Sequence, residues 1–295
     1  MRKIFVLGSI NIDNVACTKV MPSPGITVEG DSFISNIGGK GANQACAAFF
    51  LGADVFFIGA LGKDNNGRDV DNYFKKIGLP YHLVKSNKNT GVALIMIDEA
   101  NAENRILCVP GANFDIKKED LDTIKNKMHK NDILLVQLEC SMDMVCYAID
   151  LAKEKGMIVI LNPAPYRDNL PSNIYAKVDY FIPNEHEMDS YVPGKDDYIN
   201  KAKSILDKGT KNVIITLGEK GSIAINKEGV IEQKAFKVRA IDTTAAGDSF
   251  CGAFAVALSN RKTLKECLDF ATKCSSIAVT RKGAISSLPK LEEVL

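Results

Sequence analysis

The sequence predicts an α/β fold in which a mainly parallel central sheet is covered by helices and a second, smaller β-sheet is set apart from it. Three features point to this. Short apolar runs alternate with helix-length segments along most of the chain, a pattern that implies right-handed crossovers and parallel pairing. The first run, residues 3–8, is apolar after Lys3 and ends in glycine, as a strand buried on both faces should be. Residues 27–34, 91–98 and 105–110 read instead as strands of a small, partly exposed sheet, the last two forming a hairpin around residues 99–104.

Taken in order, the first strand ends at Gly8. A dinucleotide-binding turn would place two more glycines there, but Ser9-Ile10-Asn11-Ile12-Asp13 follows, so that reading fails. Asn11 and Asp13 alternate in an extended segment and face the same way, past the strand's carboxyl end where open α/β sheets bind ligands; a solvated strand edge would look the same. Gly38, Gly39 and Gly41 then remove Cβ atoms where backbone must approach something closely, and Lys40 and Asn43 bring a cation and an amide to the same loop. The spacing is not that of a P-loop, and a glycine-rich turn packing a helix on a sheet is the alternative. A helix is expected over 44–51, a strand over 55–61, and a helix capped by Asp64 with Val70, Tyr73, Phe74 and Ile77 on one face.

Strands are expected at 133–138, 158–161, 180–182 and 213–216, with a helix over 143–155. Their exits deliver Glu139, Asn162, Asn184 with Glu187, and Gly218 with Gly221, so polar and glycine residues collect along one sheet edge. Asn184 and Glu187 lie three apart on a nascent helix, where an amide oxygen and a carboxylate suit Mg²⁺ held through water; an exposed polar helix start is the alternative.

The heptapeptide Asp242-Thr243-Thr244-Ala245-Ala246-Gly247-Asp248 runs into the apolar helices 249–258 and 264–279. Its small residues let an anion approach unpaired N–H groups at the positive end of a helix dipole. Asp248 in that first turn is an odd neighbour for a phosphate unless it takes a proton, and an anion cradle with a base is the minimum for moving a phosphoryl group onto a hydroxyl. Asp242 as an N-cap and Asp248 as an ordinary first-turn acid is the competing reading.

At 295 residues the chain can bury a large core, and 46% apolar with 25% charged residues argues against extended disorder. A net charge of +1 without a Lys/Arg block argues against nucleic acid or an anionic membrane as partner. The N-terminal apolar run is too short for a signal peptide or a membrane span. The eight cysteines form no C-x-x-C pair, which suits reduced, buried thiols in a cytoplasmic protein, with Cys267 and Cys274 in the core.

These loops, in this order, resemble the ribokinase-like superfamily of ATP-dependent sugar and nucleoside kinases, and within it the ribokinases. The resemblance rests on Gly-Ser-Ile-Asn-Ile-Asp at 8–13, Gly-Gly-Lys-Gly-Ala-Asn-Gln-Ala at 38–45, Thr-Gly-Val-Ala-Leu-Ile at 90–95, Asn-Pro-Ala-Pro at 162–165, the heptapeptide 242–248 and Ala-Val-Thr-Arg-Lys-Gly-Ala at 278–284. It implies a three-layer α/β/α fold over residues 1–295, with the small sheet, about 14–36 and 90–110, as a lid that pairs with its copy in a homodimer. It implies transfer of the ATP γ-phosphoryl to the 5-hydroxyl of D-ribose, with Asp248 as base and the N–H groups of Ala245, Ala246 and Gly247 as anion hole. Asn11, Asp13, Gly39, Asn43 and Glu139 would bind the sugar, with Lys40 neutralising charge nearby. Asn184, Thr216, Gly218 and Gly221 would lie on the nucleotide side with Glu187 near Mg²⁺. Asp242, Thr244, Ala278, Arg281, Gly283 and Ser287 would surround K⁺. Two departures from the family pattern stand at Thr272-Lys273, in the adenine region, and at Ile285-Ser286, ahead of Ser287.

The rivals are a kinase for fructose, deoxyribose, adenosine or a sugar phosphate, and a catalytically silent sugar-binding regulator. A nucleoside would want a stacking pair in the small sheet, which offers Phe33 and aliphatics; a sugar phosphate would want more cations than Arg105.

Overall fold

The computed structural model describes residues 1–98, 100 and 103–294. In chain order the elements are β1 (Ile4–Leu7), β2 (Asn11–Thr18), β3 (Ser32–Gly38), α1 (Lys40–Phe50), β4 (Val55–Gly62), α2 (Asn65–Ile77), β5 (Tyr81–Ser86), β6 (Gly91–Asp98) and β7 (Glu103–Val109). There follow α3 (Lys118–Asp122), β8 (Ile133–Val136), α4 (Met142–Glu154), β9 (Ile158–Leu161), α5 (Ser172–Tyr175), β10 (Tyr180–Phe181), α6 (Glu185–Tyr191) and α7 (Tyr198–Leu206). The chain closes with β11 (Asn212–Thr216), β12 (Ser222–Asn226), β13 (Gly229–Gln233), α8 (Ala246–Ser259) and α9 (Leu264–Ala278).

The large sheet runs β13-β12-β11-β10-β9-β8-β1-β4-β5 and is parallel from β11 to β5. Its strands alternate between two cores, which is why they read as unbroken apolar runs. Ile4 and Val6 of β1 and Phe57 of β4 pack with α1, α2, α8 and α9, whereas Phe5, Leu7 and Ile58 pack with α3, α4, α5 and α7 on the other face. Phe57 meets Phe74 of α2 edge-on at 5.7 Å. Truncating so buried a ring costs about 3–5 kcal/mol. Asp64 caps α2 by accepting the Gly67 N–H at 2.8 Å, and Gly78 closes the helix at φ 76°, as the sequence predicts.

The small sheet, ordered β3-β2-β6-β7, joins β6 and β7 as an antiparallel pair and seats β2 parallel to β6. Residues 99, 101 and 102 of the expected hairpin turn lie outside the described residues. Two expectations need correction, and one edge of the large sheet is new. The strand placed at 27–34 is β3, starting at Ser32, because pairing with β2 begins at Cys17↔Ser32. The helix placed at 44–51 starts at Lys40, so Lys40, Gly41 and Asn43 belong to its first turn. The antiparallel edge β12-β13 was not foreseen.

Candidate active site

The exits of β1, β8, β9, β10 and β11 face the N-termini of α1 and α8 along one edge of the large sheet. The backbone brings these elements together at points of close approach. Gly39 adopts φ 90°, and an added Cβ there would lie 2.7 Å from Asn11 N. At Gly41 it would lie 2.3 Å from the main chain of Gly8, so this glycine serves the packing of α1 against the exit of β1.

Asp248 sits in the first turn of α8 and is 7% exposed. Asn43 Nδ2 donates to its Oδ2 at 2.8 Å and Gln44 Nε2 to its Oδ1 at 2.9 Å. Asn43 Oδ1 is buried and has no partner. The N-cap of α8 is Ala245, at φ 57°, and not Asp242. The Ala246 N–H donates to Thr243 O at 3.2 Å, while the N–H groups of Ala245 and Gly247 have no partner among the described residues. Nothing stands within 4 Å of where a Gly247 Cβ would be, so the head of α8 is open. Asp248, Lys40, Asn184, Glu187, Thr216 and Gly247 line a cavity of about 190 Å³ there. Gly218 and Gly221 fall in the neighbouring turn, where a Gly221 Cβ would lie 2.0 Å from Gln233 O.

Next to this cavity, Glu139 Oε2 accepts the Lys40 N–H at 3.1 Å at the head of α1 and a hydrogen bond from Ser9 Oγ. Burial disfavours the Lys40 ammonium, yet Asp248 and Glu139 hold its pKa above the ordinary lysine value. Asp13 pairs with Asn36 in the register, and its carboxylate reaches Gly38, where an added Cβ would meet it at 2.0 Å. Burial, with repulsion from Glu139 and Asp248, raises Asp13 from 3.8 to about 7. Asn11 Oδ1 accepts from Asn113 Nδ2 at 2.9 Å, and Asn113 also bonds Ile10 N and O. Asn113, in the segment 111–113 where the sequence has the chain return to the main body, ties the small sheet to it.

Asn184 and Glu187 form a reciprocal cap on α6: Glu187 N–H donates to Asn184 Oδ1 at 2.8 Å and Asn184 N–H to Glu187 Oε2 at 2.9 Å. The Asn184 amide oxygen is thus occupied by the helix, while Glu187 uses one carboxylate oxygen in the cap and also lines the cavity. Burial raises the Glu187 pKa. Among the described residues no group of three His, Cys, Asp or Glu could hold a metal ion, so a magnesium here would rest mainly on phosphate and water oxygens. Behind α8, Thr244 N–H donates to Asp242 Oδ1 and Gly283 N–H to Asp242 Oδ2, each at 2.9 Å, binding the loop before α8 to the loop after α9. Ser287 is fully buried with its hydroxyl on Ala284 O at 2.8 Å. In the turn after α9 the Arg281 N–H donates to Ala278 O at 3.1 Å, and the Arg281 guanidinium pairs with Glu293. Lys273 is drawn to Val294 O at 2.6 Å, and the Thr272 hydroxyl is buried without a partner.

The sequence reading missed Gln44, which joins Asp248 to Asn162, and Gln137, which joins Gln44. Asn162 follows β9 and is marked by the sequence as a strand exit, whereas Gln137 falls within the strand expected at 133–138 and becomes an exit only because β8 ends at Val136. A larger cavity of about 640 Å³ opens at the far end of α8, lined mainly by apolar residues including Val256, Phe270 and Val294. It contains none of these groups.

The chain matches the pfkB family of carbohydrate kinases over residues 1–291. It is 40% identical over 313 aligned residues to a ribokinase of Schizosaccharomyces pombe, covering 100% of this chain and 97% of the relative. A deoxyribokinase of Salmonella typhi is 35% identical, covering 98% and 96%. The structure of Arabidopsis thaliana ribokinase complexed with ribose and ATP superposes with a TM-score of 0.89 at 29% identity, covering 99% of this chain and 97% of that one.

Proposed function

The chain belongs to the pfkB family of carbohydrate kinases, and on that footing we propose that it transfers the γ-phosphoryl group of ATP to O5 of D-ribose with Asp248 as the base. The observation behind this reading is the buried Asp248 carboxylate standing beside unpaired amides at the head of its own helix. Buried unpaired acceptors are rare, so Asn43 Oδ1, next to that carboxylate, marks where a sugar hydroxyl would donate.

In this mechanism Asn11, Asp13, Gly39, Asn43 and Glu139 hold the ribose hydroxyls, and Asp248 accepts the O5 proton as the γ-phosphorus is attacked in line. The amides of Ala245, Ala246 and Gly247 and the Lys40 ammonium meet negative charge spreading over the transferred group. Asn184, Thr216, Gly218 and Gly221 form the nucleotide side. Glu187 would hold magnesium through water, and Asp242, Thr244, Ala278, Arg281, Gly283 and Ser287 would hold potassium. Magnesium, when bound, supplies neutralisation of the phosphate charge. The small sheet acts as a lid that excludes water, which would otherwise compete as acceptor.

The lid pairs with that of a second copy in a homodimer. The apolar side chains it exposes on the face away from Asn11 and Asp13, Phe33, Leu94 and Leu107 among them, favour this. All eight cysteines are free, and among the described residues no helix is long and apolar enough to cross a membrane, consistent with a cytoplasmic location.

A second reading, 2-deoxyribose as the preferred sugar, is favoured by the similarity to a deoxyribokinase. ADP release across ribose, deoxyribose, fructose, adenosine and fructose 6-phosphate, with and without K⁺, tests both. Turnover with ribose, stimulated by K⁺, is expected. Preference for deoxyribose would exchange the substrates, and no turnover with any of them would overturn the reading.

A further inference from the structure

Asp248 is held from behind by a chain of buried amides that the phosphoryl-transfer scheme does not use. Gln137 and Gln44 are fully buried, and Asn162 is 8% exposed. Gln137 Nε2 donates to Gln44 Oε1 at 2.6 Å. The two hydrogens of Gln44 Nε2 go to Asp248 Oδ1 at 2.9 Å and Asn162 Oδ1 at 3.0 Å. Asn162 Nδ2 then donates to Ile182 O at 2.8 Å.

The sense of this chain is fixed by its ends. A carboxylate and a main-chain carbonyl can only accept, so Gln44 and Asn162 must both present N–H groups outward, and Gln137 must donate to the oxygen Gln44 has left. The cost falls on Gln137 Oε1, which is buried with no partner. An unpaired buried acceptor is a poor way to fill space, and an apolar side chain would serve packing better. What the amides provide is direction. With Asn43 on Oδ2 and Gln44 on Oδ1, both carboxylate oxygens are pinned and the plane of the group is set.

We infer that Gln44 is a positioning residue for phosphoryl transfer: its amide, held in turn by Gln137, orients the Asp248 carboxylate toward the acceptor hydroxyl. The inference rests on Asp248 being the base. It also explains why Gln137 and Asn162 stand at the exits of adjacent strands, since each anchors the amide to the sheet from one side.

The test is a double-mutant cycle of Gln44→Met and Asp248→Asn, read as kcat and as KM for ribose and ATP, with ribose binding followed by calorimetry. Q44M is expected to lower kcat by about 10- to 100-fold and to leave both KM values within about threefold, since misplacing a reacting group costs turnover and not binding. In the D248N background the same change should alter the residual kcat by less than about twofold, because the group it positions is gone. A purely structural role would show the same loss in both backgrounds, and that result, a change in KM without kcat, or unaltered kcat in Q44M would each overturn the inference. Near-normal turnover in D248N alone would remove the base itself, which distinguishes failure of the underlying reading. If Q44M does not bind ribose with normal heat, Gln137→Met answers instead, as it frees Gln44 without touching Asp248. It should lower kcat by about three- to tenfold at unchanged KM, and unchanged kcat there would count against the relay.

Discussion

Asn43 Nδ2 lies 2.8 Å from Asp248 Oδ2, while the oxygen of the same amide is buried with no partner. One side chain therefore holds the proposed base and offers a sugar an acceptor. Replacing it by leucine removes both functions at similar volume. Asn43→Leu should lower kcat/KM for ribose by about 10²-fold, combining a lost bond to a charged group with an unmet hydroxyl. Steady-state kinetics over a ribose series would register this as a rise in KM together with a fall in kcat. A change confined to one parameter would show that the amide does only one of these jobs.

Asp248→Asn keeps the shape of the site and removes the proton acceptor. Ribose binding should persist, and kcat should fall by about 10²–10⁴, the usual worth of a positioned base. Calorimetric titration with ribose alongside initial-rate assays separates the two quantities. A variant that turns over at nearly the normal rate would strip Asp248 of the role.

The surroundings of Asp13 bring its change of charge near neutral pH. Burial first, and then Glu139 and Asp248, lift its pKa from 3.8 to about 7. Ribose hydroxyls donate best to its ionised form, so kcat/KM for ribose should fall as pH drops below about 7, the limb that reports the free enzyme. Stability runs the other way. Between 3.8 and about 7 the folded chain binds more protons at this position than the unfolded chain. The favourable contribution is complete below 3.8 and is lost as pH rises through about 7. Asp13→Asn, which cannot ionise, should therefore melt about 2–6 °C higher than the unsubstituted chain at pH 8.5, without sugar, and this gain should shrink toward pH 5. Thermal melts at the two pH values check it, and a gain that does not vary with pH would refute this account.

Much of this arrangement was legible locally. The Asp64 cap, the αL glycine at 78, the β6–β7 pairing and the apolar strands each follow from signals within a few residues. The start of α1 was not, because glycines at 38, 39 and 41 mimic a loop. Gly41 is in fact helical, and the glycine is required by contact with Gly8, which only the tertiary packing reveals. The amide chain was invisible for a similar reason. Gln44 lies 93 residues from Gln137 and 118 from Asn162, and no spacing rule links them.

Asp242 bonds the N–H groups of Thr244 and Gly283, so it sets the separation of the two loops proposed to surround potassium. Asp242→Ala should raise the K⁺ concentration for half-activation by about tenfold, as the loss of two charge-assisted bonds loosens both loops. Activity measured across a K⁺ series, with choline keeping ionic strength constant, reports it. Unchanged activation would take Asp242 out of the cation site.

The last prediction concerns the exposed face of the small sheet. Ser35, Asn14, Leu94 and Leu107 align in one row of the register, and Phe33, Ala16, Met96 and Arg105 in the row two residues further along. Side chains alternate along a strand, so these rows point away from Asn11 and Asp13. Phe33 is 67% exposed, Leu107 62% and Leu94 47%, an unusual concentration of apolar surface for a face in water. A second copy of the same sheet would cover it. A carboxylate placed on this face should oppose that pairing, since an unpaired charge buried at an interface costs several kcal/mol. Leu107→Asp is therefore expected to raise the dimer dissociation constant by about 10²-fold or more, read by light scattering on a size-exclusion column over a dilution series. If the lid closes properly only in the dimer, KM for ribose should rise with the monomer fraction. A chain that is monomeric before the substitution, or a dimer that L107D leaves intact, would place the partner surface elsewhere.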